Sequence, residues 1–372
     1  MIEISVFDTN LDKVALLDNY EYFSFVRNFR RPNTFELHIN RYKHGADTLV
    51  IGNYISIYKG GAYRIWRIES IELELTDGKG SESYVIKGRS LAGVFEDRLC
   101  LHRITYSSTG GYDEQTGHIE TVMKHYVNVE VVNPTNVNRK VPHYTIATDQ
   151  GRGEIITTSA RLQTVAEILE TLSYSNGIGY LVYFDLENKN FVFEVIVGLD
   201  RTVDNGVNHV VMFSPDFDNI KSLHFKHSVL GVKNYAVVGG QGDGKDRAFQ
   251  YVGTATGLDR REIFVDARDI DNNAGLLVRG GERLAEYGEE IIMEFDHTQT
   301  GPFEYEVDFN LGDIVTIVYP GVVQMDARII RVDENYTVEN GWQYMFTVGS
   351  EFPDIQNIIV KDRKNIGPEI RR

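Results

Sequence analysis

The stretch Gly52-Asn53-Tyr54-Ile55-Ser56-Ile57-Tyr58 recurs in the second half of the sequence as Gly312-Asp313-Ile314-Val315-Thr316-Ile317-Val318. Each copy opens with glycine and a polar residue and continues as a run of β-branched and aromatic residues. Each then reaches a turn glycine at the matching position, Gly61 or Gly321. Such runs favour strands, and the glycines that bound them favour turns. The sequence therefore predicts that one β-hairpin unit occurs twice.

The similarity extends beyond this pair of strands. After a shift of one residue, Arg67-Ile68 matches Arg328-Ile329, and Gly88 matches Gly349, so the repeated blocks run over 52–88 and 312–349. Upstream, Phe35-Glu36-Leu37-His38-Ile39 resembles Phe303-Glu304-Tyr305-Glu306-Val307. We interpret the matches as one antiparallel β-barrel duplicated at both ends of the chain. Chance agreement between two unrelated hairpins of equal spacing is the alternative.

The part of the chain between the two blocks mixes helical and strand patterns. Apolar residues at helical spacing predict a helix over Ile119–Tyr126, a second over Leu162–Leu172 that ends at Asn176-Gly177, and a third near Leu276–Glu286. A strand hairpin is predicted from Tyr180 to Val197.

The predicted fold class is mainly β with an α+β insertion. Two similar antiparallel β-barrel domains, at 1–98 and 226–350, flank a mixed α+β section at 99–225. The second barrel domain is predicted to contain an accessory segment with a helix at about 255–295, and residues 351–372 form a C-terminal tail.

Composition excludes several classes of protein. With 38 Lys and Arg against 54 Asp and Glu, the net charge of −16 opposes adhesion to nucleic acid. A single cysteine, Cys100, rules out an intrachain disulfide and a cysteine-based zinc site. No apolar run approaches the roughly 18 residues of a membrane helix, and Met1–Val6 lacks the features of a signal peptide. We therefore expect synthesis and assembly in a cytoplasm.

One glycine-rich segment imitates a phosphate-binding loop. Gly239–Lys245 fits the GxxxxGK pattern and follows a predicted strand. The motif requires Ser or Thr at the next position and then a helix, whereas this chain has Asp246 and the strand-like Ala248–Val252. We predict the tip of a hairpin here.

Candidate metal and catalytic residues are equally weak. Asp269–Asn273 begins like a calcium loop, but Ala274 stands where glycine is required and Gly280 where the bidentate glutamate is required. His118 and His125 have no surrounding ligand set and are predicted to be exposed surface residues. Cys100 lacks the local sequence of a known nucleophile. We predict no catalytic residue, no metal site and no cofactor, so no enzyme.

Two observations leave alternatives open. The closely alternating charges of Asp259-Arg260-Arg261-Glu262 and Asp266-Ala267-Arg268-Asp269 suit either a solvated surface or a contact between subunits. The 21 Tyr and 19 Phe suit strands and a core, or a carbohydrate-binding face. The alternative function is therefore a carbohydrate-binding or glycan-processing β-protein that acts on a host surface.

Six short motifs, in this order, resemble the ReqiPepy-type siphovirus tail proteins over about residues 5 to 350. They are Lys87–Leu91, Asp149–Gly153, Ser214–Asn219, Gly257–Glu262, Phe264–Asp269 and Leu311–Val315. The resemblance places the chain with phage baseplate hub and tail-associated proteins, including those of prophages.

The resemblance implies a homotrimeric hub at the virion tail tip, with two similar barrels per chain, that closes the tail tube. Its implied partners are distal tail and tail tube proteins, the end of the tape-measure protein, and tip or receptor-binding fibre proteins. Genome DNA would touch it only in passing through a channel, whose lining we expect to be negative. The blocks 52–88 and 312–349 are expected to pack against the tube. Because the chain stops soon after the second barrel, receptor binding and wall digestion are expected of partner proteins.

Overall fold

The computed structural model describes residues 2–75, 78, 80–101, 111–297 and 301–350, so the predicted tail at 351–372 lies outside the described residues. Within those residues the chain forms 21 strands and three α-helices. The strands are β1 Ile4–Phe7, β2 Lys13–Leu17, β3 Tyr22–Asn28, β4 Thr34–Asn40, β5 Tyr54–Lys59, β6 Ala62–Leu75, β7 Glu82–Ser90, β8 Asp113–His118, β9 Tyr144–Ile146, β10 Ile155–Ala160, β11 Gly179–Asp185, β12 Asn190–Ile196, β13 Met212–Phe213, β14 Ile220–Ser228, β15 Tyr235–Gly239, β16 Phe249–Val252, β17 Glu262–Asp266, β18 Glu290–His297, β19 Ile314–Tyr319, β20 Val323–Thr337 and β21 Gly341–Ser350. The helices are α1 Ile119–Val127, which continues into a π-helical turn at Asn128–Val132, α2 Val165–Asn176 and α3 Asn273–Ala285.

The chain divides into two compact units. Over the described residues, the first comprises the chain up to Leu223 and Glu294–Val348, and the second comprises His224–Met293, Gly349 and Ser350. In the second unit α3 packs on a small sheet in which β15 pairs with β16 and β17. The predicted domain boundaries near residues 98 and 225 stay predictions.

The main sheet runs in the order β14-β18-β21-β20-β3-β4-β7-β6-β11-β12-β9. One hydrophobic core lies beneath its first-repeat strands, around the indole of Trp66, whose centroid is 5.0 Å from that of Phe25. A second core joins α1 and α2 to β11 and β12 around Phe95 and Phe193, whose centroids are 5.5 Å apart. These observations confirm a mainly β protein, and the α-helices of the described residues lie in two places: α1 and α2 in the first unit and α3 in the second.

The predicted helices are present, with one corrected start. α2 begins at Val165 because the Thr164 hydroxyl accepts the Glu167 N–H at 3.1 Å while the Glu167 carboxylate accepts the Thr164 N–H at 2.8 Å. This capping box fixes Thr164 as the N-cap, so the helix does not extend further towards the N-terminus. Leu162, which we assigned to the helix, therefore precedes it, with a φ of 63° and its side chain in solvent. The predicted hairpin is confirmed as β11 and β12.

The repeated blocks have the same backbone hydrogen bonds. In the first, Ile68 N–H donates to the Asn53 carbonyl at 2.8 Å and Gly52 N–H donates to the Ile68 carbonyl at 3.0 Å. In the second, Ile329 N–H donates to the Asp313 carbonyl at 2.8 Å and Gly312 N–H donates to the Ile329 carbonyl at 2.8 Å. The φ angles of Gly52 and Gly312 are 96° and 97°, values that favour glycine. The hairpin unit is therefore duplicated in its geometry as well as in its sequence.

The one-residue shift between the blocks comes from the turn. Lys59 pairs with Ala62 across a turn of two residues, whereas Tyr319 pairs with Val323 across a turn of three. Both copies then carry an irregularity in the following strand pair, between Ile68 and Ser70 in β6 and between Ile329 and Arg331 in β20.

Two details of the predicted repeat are wrong. Gly88 pairs with Ile68, but the residue paired with Ile329 is Val348, so Gly349 lies one residue beyond the counterpart of Gly88. Phe303–Val307 forms no strand, because Val307 N–H and Asp308 N–H both donate to the Glu304 carbonyl and close a turn. The counterpart of β4, the strand next to β7, is β18, the strand next to β21. Closure of each copy into a barrel stays a prediction.

The two glycines at equivalent positions should respond differently to alanine. At Gly52 alanine meets only the strain of a positive φ, about 1–2 kcal/mol, because its nearest neighbour would be 3.9 Å away. At Gly312 the new methyl would also lie 2.4 Å from the Phe29 ring, so we expect about 2–5 kcal/mol of destabilisation. Urea unfolding of Gly52→Ala and Gly312→Ala measures both losses, and equal losses would contradict the packing described.

Candidate functional site: the junction between the two repeats

The two repeats are joined by one strand pair. β3, next to β4 in the sheet of the first repeat, pairs antiparallel with β20 of the second, from Tyr22 opposite Thr337 to Asn28 opposite Arg331. The Tyr22 hydroxyl also donates to the Asn335 side chain at 2.9 Å. This pairing makes one continuous sheet of strands from both repeats.

Five charged side chains lie on the buried side of this junction. They are Arg27, Lys59 and Arg64 from the first repeat, Glu306 from the segment before the second repeat, and Glu334 from β20. The Lys59 ammonium is 2.6 Å from the Glu334 carboxylate and 2.8 Å from the Glu306 carboxylate. Arg27 contacts Glu306 at 2.9 Å, and Arg64 contacts both glutamates. The Glu334 side chain has no exposed surface, so its charge must be compensated by the cations of the cluster.

Aromatic rings complete the surroundings of Lys59. Its ammonium lies 4.9 Å from the ring centroids of both Trp342 and Tyr344, and 5.3 Å from that of Tyr305. Burial lowers the pKa of Lys59 to about 8, although the Glu334 carboxylate acts in the opposite direction. Since three cations face two carboxylates, Lys59 is the cation that the cluster can most readily lose.

The turn of the first repeat makes room for the glutamate of the second. A Cβ on Gly60 would lie 2.7 Å from the carboxylate carbon of Glu306, so a side chain at this turn position would displace Glu306. Glu306 itself has a φ of 71°, a conformation that costs a residue with a side chain about 1–2 kcal/mol. Its ion pairs with Arg27, Lys59 and Arg64 hold it there.

The glycine-rich segment is the hairpin tip that the sequence predicts. β15 ends at Gly239, and the antiparallel strand β16 begins at Phe249. The guanidinium of Arg247 donates to the Gly239 carbonyl at 3.0 Å and to the Gly240 carbonyl at 3.1 Å, and contacts Asp266 at 2.6 Å. This site therefore points carbonyl oxygens at a cation, the opposite of what a phosphate requires.

The residues considered as candidate metal ligands or catalytic groups have other surroundings. Asp269 pairs with Arg279 at 3.1 Å, and no group of metal-ligating side chains occurs among the described residues. His118 is exposed as predicted and lies 2.8 Å from the Gly153 carbonyl. The prediction for His125 is wrong, because it is half-buried with its Nε2 2.8 Å from the buried carboxylate of Asp113. Cys100 is buried, and burial raises the pKa of its thiol.

The tract of alternating charges carries local ion pairs. Arg260 contacts Glu262 at 2.6 Å and its guanidinium carbon lies 3.4 Å from the ring centroid of Tyr235. These contacts suit a solvated surface and a subunit contact equally well, so both alternatives remain open.

Sequence reasoning identified none of the five charged residues of the junction as a site. The pattern that could have identified two of them is a charged residue at a position where strand alternation places side chains in the core. Arg27 follows Phe23 and Phe25 on the buried face of β3, and Glu334 lies between Val332 and Tyr336 on the buried face of β20. A charge at such a position requires a partner in the core.

Comparison with known proteins identifies a family. The sequence model of the family described as Siphovirus ReqiPepy6 Gp37-like protein matches residues 3–350. No protein with a curated functional description matches the sequence.

Solved structures of tail proteins have a similar fold. The tail protein from Neisseria meningitidis MC58 has a TM-score of 0.57 at 15% identity, covering 94% of this chain and 96% of its own. The prophage MuSo2 43 kDa tail protein from Shewanella oneidensis has a TM-score of 0.56 at 15% identity, covering 93% and 98%. The prophage tail protein gp18 from Listeria monocytogenes EGD-e has a TM-score of 0.51 at 13% identity, covering 98% and 99%. Searched over its described residues, the chain has no helix that could span a membrane.

Removing the carboxylate of Glu334 from the junction should lower the free energy of unfolding far more than removing the ammonium of Lys59. Glu334→Gln leaves three buried cations facing one carboxylate, and we expect about 3–5 kcal/mol of destabilisation. Lys59→Met leaves two arginines facing two glutamates and should cost less than about 2 kcal/mol. Urea unfolding measures both, with Glu96→Gln, whose exposed pair with Arg89 is worth under about 1 kcal/mol, as control. Similar losses for Glu334→Gln and Lys59→Met would refute the proposed charge balance.

The lowered pKa of Lys59 predicts a pH dependence of stability. Above about pH 8 the folded protein has released a proton that the unfolded chain keeps up to its ordinary pKa of 10.5. The free energy of unfolding should therefore rise between these values, relative to Lys59→Met, by up to about 1.4 kcal/mol per pH unit. Parallel urea titrations of both proteins from pH 7 to about 10.5 test this, and a constant difference would contradict it.

Proposed function

Because the chain belongs to the Siphovirus ReqiPepy6 Gp37-like family of phage tail proteins, we propose that it is a structural hub of the tail tip or baseplate. In this role three copies form a ring that closes the tail tube and joins it to the tip or fibres. The protein acts by packing and symmetry, not by catalysis.

The observation that carries the proposal is the duplicated hairpin unit with matching hydrogen bonds at Gly52 and Gly312. Two similar units per chain give six similar surfaces in a trimer, which suits contact with a six-fold tube while keeping three-fold symmetry for a fibre. The buried ionic junction supports the same role, since it joins the two repeats of one chain.

The remaining expectations follow from this position in the particle. The blocks 52–88 and 312–349 would pack against tube and distal tail proteins, and the opposite end would receive the tip or fibre. The end of the tape-measure protein would reach the ring, and DNA would pass through it during ejection. The net charge of −16 favours passage because a negative lining repels phosphates.

Light scattering on the purified chain, with negative-stain images of the same fraction, tests the proposal. We expect a mass of three times 42.3 kDa and rings with a central hole. A monomer that binds cell-wall glycan would instead favour the alternative of a carbohydrate-binding protein.

A further inference from the structure

The junction strand pair occurs once per chain, although the unit that forms it occurs twice. The Arg331–Thr337 segment of β20, in the second repeat, pairs with β3. The corresponding segment of the first repeat is Ser70–Leu75 of β6, since Ser70 and Arg331 both follow the strand irregularity. Among the described residues, Ser70–Leu75 pairs with β7 on one side and with no strand on the other.

The open edge of β6 carries exposed apolar side chains. Leu73 and Leu75 are 55% and 62% exposed, and they continue the face on which Ile71 packs against the first core. Their counterparts in the second repeat, Glu334 and Tyr336, are buried beneath the junction with β3. Exposed leucines beside an open strand edge mark a site for pairing with another strand.

A matching edge lies on β14. β14 ends the strand order, next to β18 and β21, as β3 lies next to β4 and β7. Ser222 donates to Asp296 at 2.5 Å, and Lys226 contacts Glu290 at 2.7 Å, so β14 runs antiparallel to β18. We align the short Ser222 side chain directly opposite Asp296, and the longer Lys226 then reaches Glu290 diagonally. With Ser222 in the place of Tyr22, the half-buried Leu223 and Phe225 are the counterparts of Phe23 and Phe25.

We propose that β6 of one chain pairs antiparallel with β14 of a second copy, in the register that β20 and β3 use within the chain. Leu75 then lies opposite Leu223, Leu73 opposite Phe225, and Glu72 opposite Lys226. This inference rests on the proposed trimer, and it names the residues that would close it.

Chemistry along the strand pair supports this register. The apolar residues face apolar residues on the side where the intrachain junction is buried, and the carboxylate of Glu72 faces the ammonium of Lys226 on the other side. Opposite charges and apolar pairs directly across two strands stabilise by about 0.2–1 kcal/mol each. The contact joins two different edges, so it is heterologous and closes when the copies form a ring.

Disulfide trapping tests the register. Glu72→Cys and Lys226→Cys chains are co-expressed and oxidised mildly; residues directly opposite across strands lie within the reach of a disulfide. We expect a covalent dimer only when both variants are present. The control replaces Lys226→Cys by Ser222→Cys, which lies on the same face of β14 but about 13 Å from the predicted partner. Native Cys100 is buried and stays out of the reaction.

Charge reversal provides a second test. Glu72→Lys and Lys226→Glu should each weaken trimer formation about fivefold per contact, and the double variant should restore it. Glu36→Lys, at a half-exposed position on β4, which is separated from β6 by β7, should leave assembly unchanged. Circular dichroism confirms that each variant folds.

The outcomes separate this inference from the proposed function. If the trimer forms but cysteines at 72 and 226 do not cross-link, or cysteines at 72 and 222 cross-link equally well, the strand pairing is wrong. The proposal of a trimeric hub is then unaffected. A chain that stays monomeric at every concentration contradicts both.

Discussion

The pairing of β3 with β20 is the constraint on which the first unit depends. It turns two separate repeats into one sheet, and it places a polar cluster where a hydrophobic core would otherwise continue. Because an unpaired charge in that position is costly, we expect each repeat to be less stable without the other. Glu306 adds to this dependence, since it reaches the cluster from a strained backbone over a turn that tolerates no side chain.

Much of the local structure could be predicted from the sequence because strand alternation and turn glycines are local signals. The one-residue shift at Arg67 and Arg328 is explained by a longer turn in the second repeat, and the helix over Ile119–Tyr126 was placed almost to its ends. The register of β21 was harder, since Gly349 offered a more obvious match to Gly88 than the true counterpart, Val348. A residue type is a weak guide to register when strands contain irregularities.

The junction itself was beyond sequence reasoning. Its members come from five separate segments, and no spacing along the chain brings Arg27 close to Glu306 or Lys59 close to Glu334. The same holds for β18, whose similarity to β4 lies in alternate burial and sheet position, while Phe303–Val307 shares only its residue types. The glycine loop shows the converse, because Asp246 and the strand after it were enough to identify a hairpin tip.

The long sequence separation across the junction has a consequence for synthesis. Tyr22 and Asn335 touch in the folded chain but are 313 residues apart. At about 5–20 residues per second, a ribosome needs roughly 15–60 s to deliver β20 after β3 has emerged. During that interval the first repeat has an unpaired strand edge and three cations whose carboxylate partners have not yet been made, so we expect its nascent form to be prone to aggregation and to benefit from chaperones. We therefore expect the first repeat to complete its folding only after the C-terminal strands have been made.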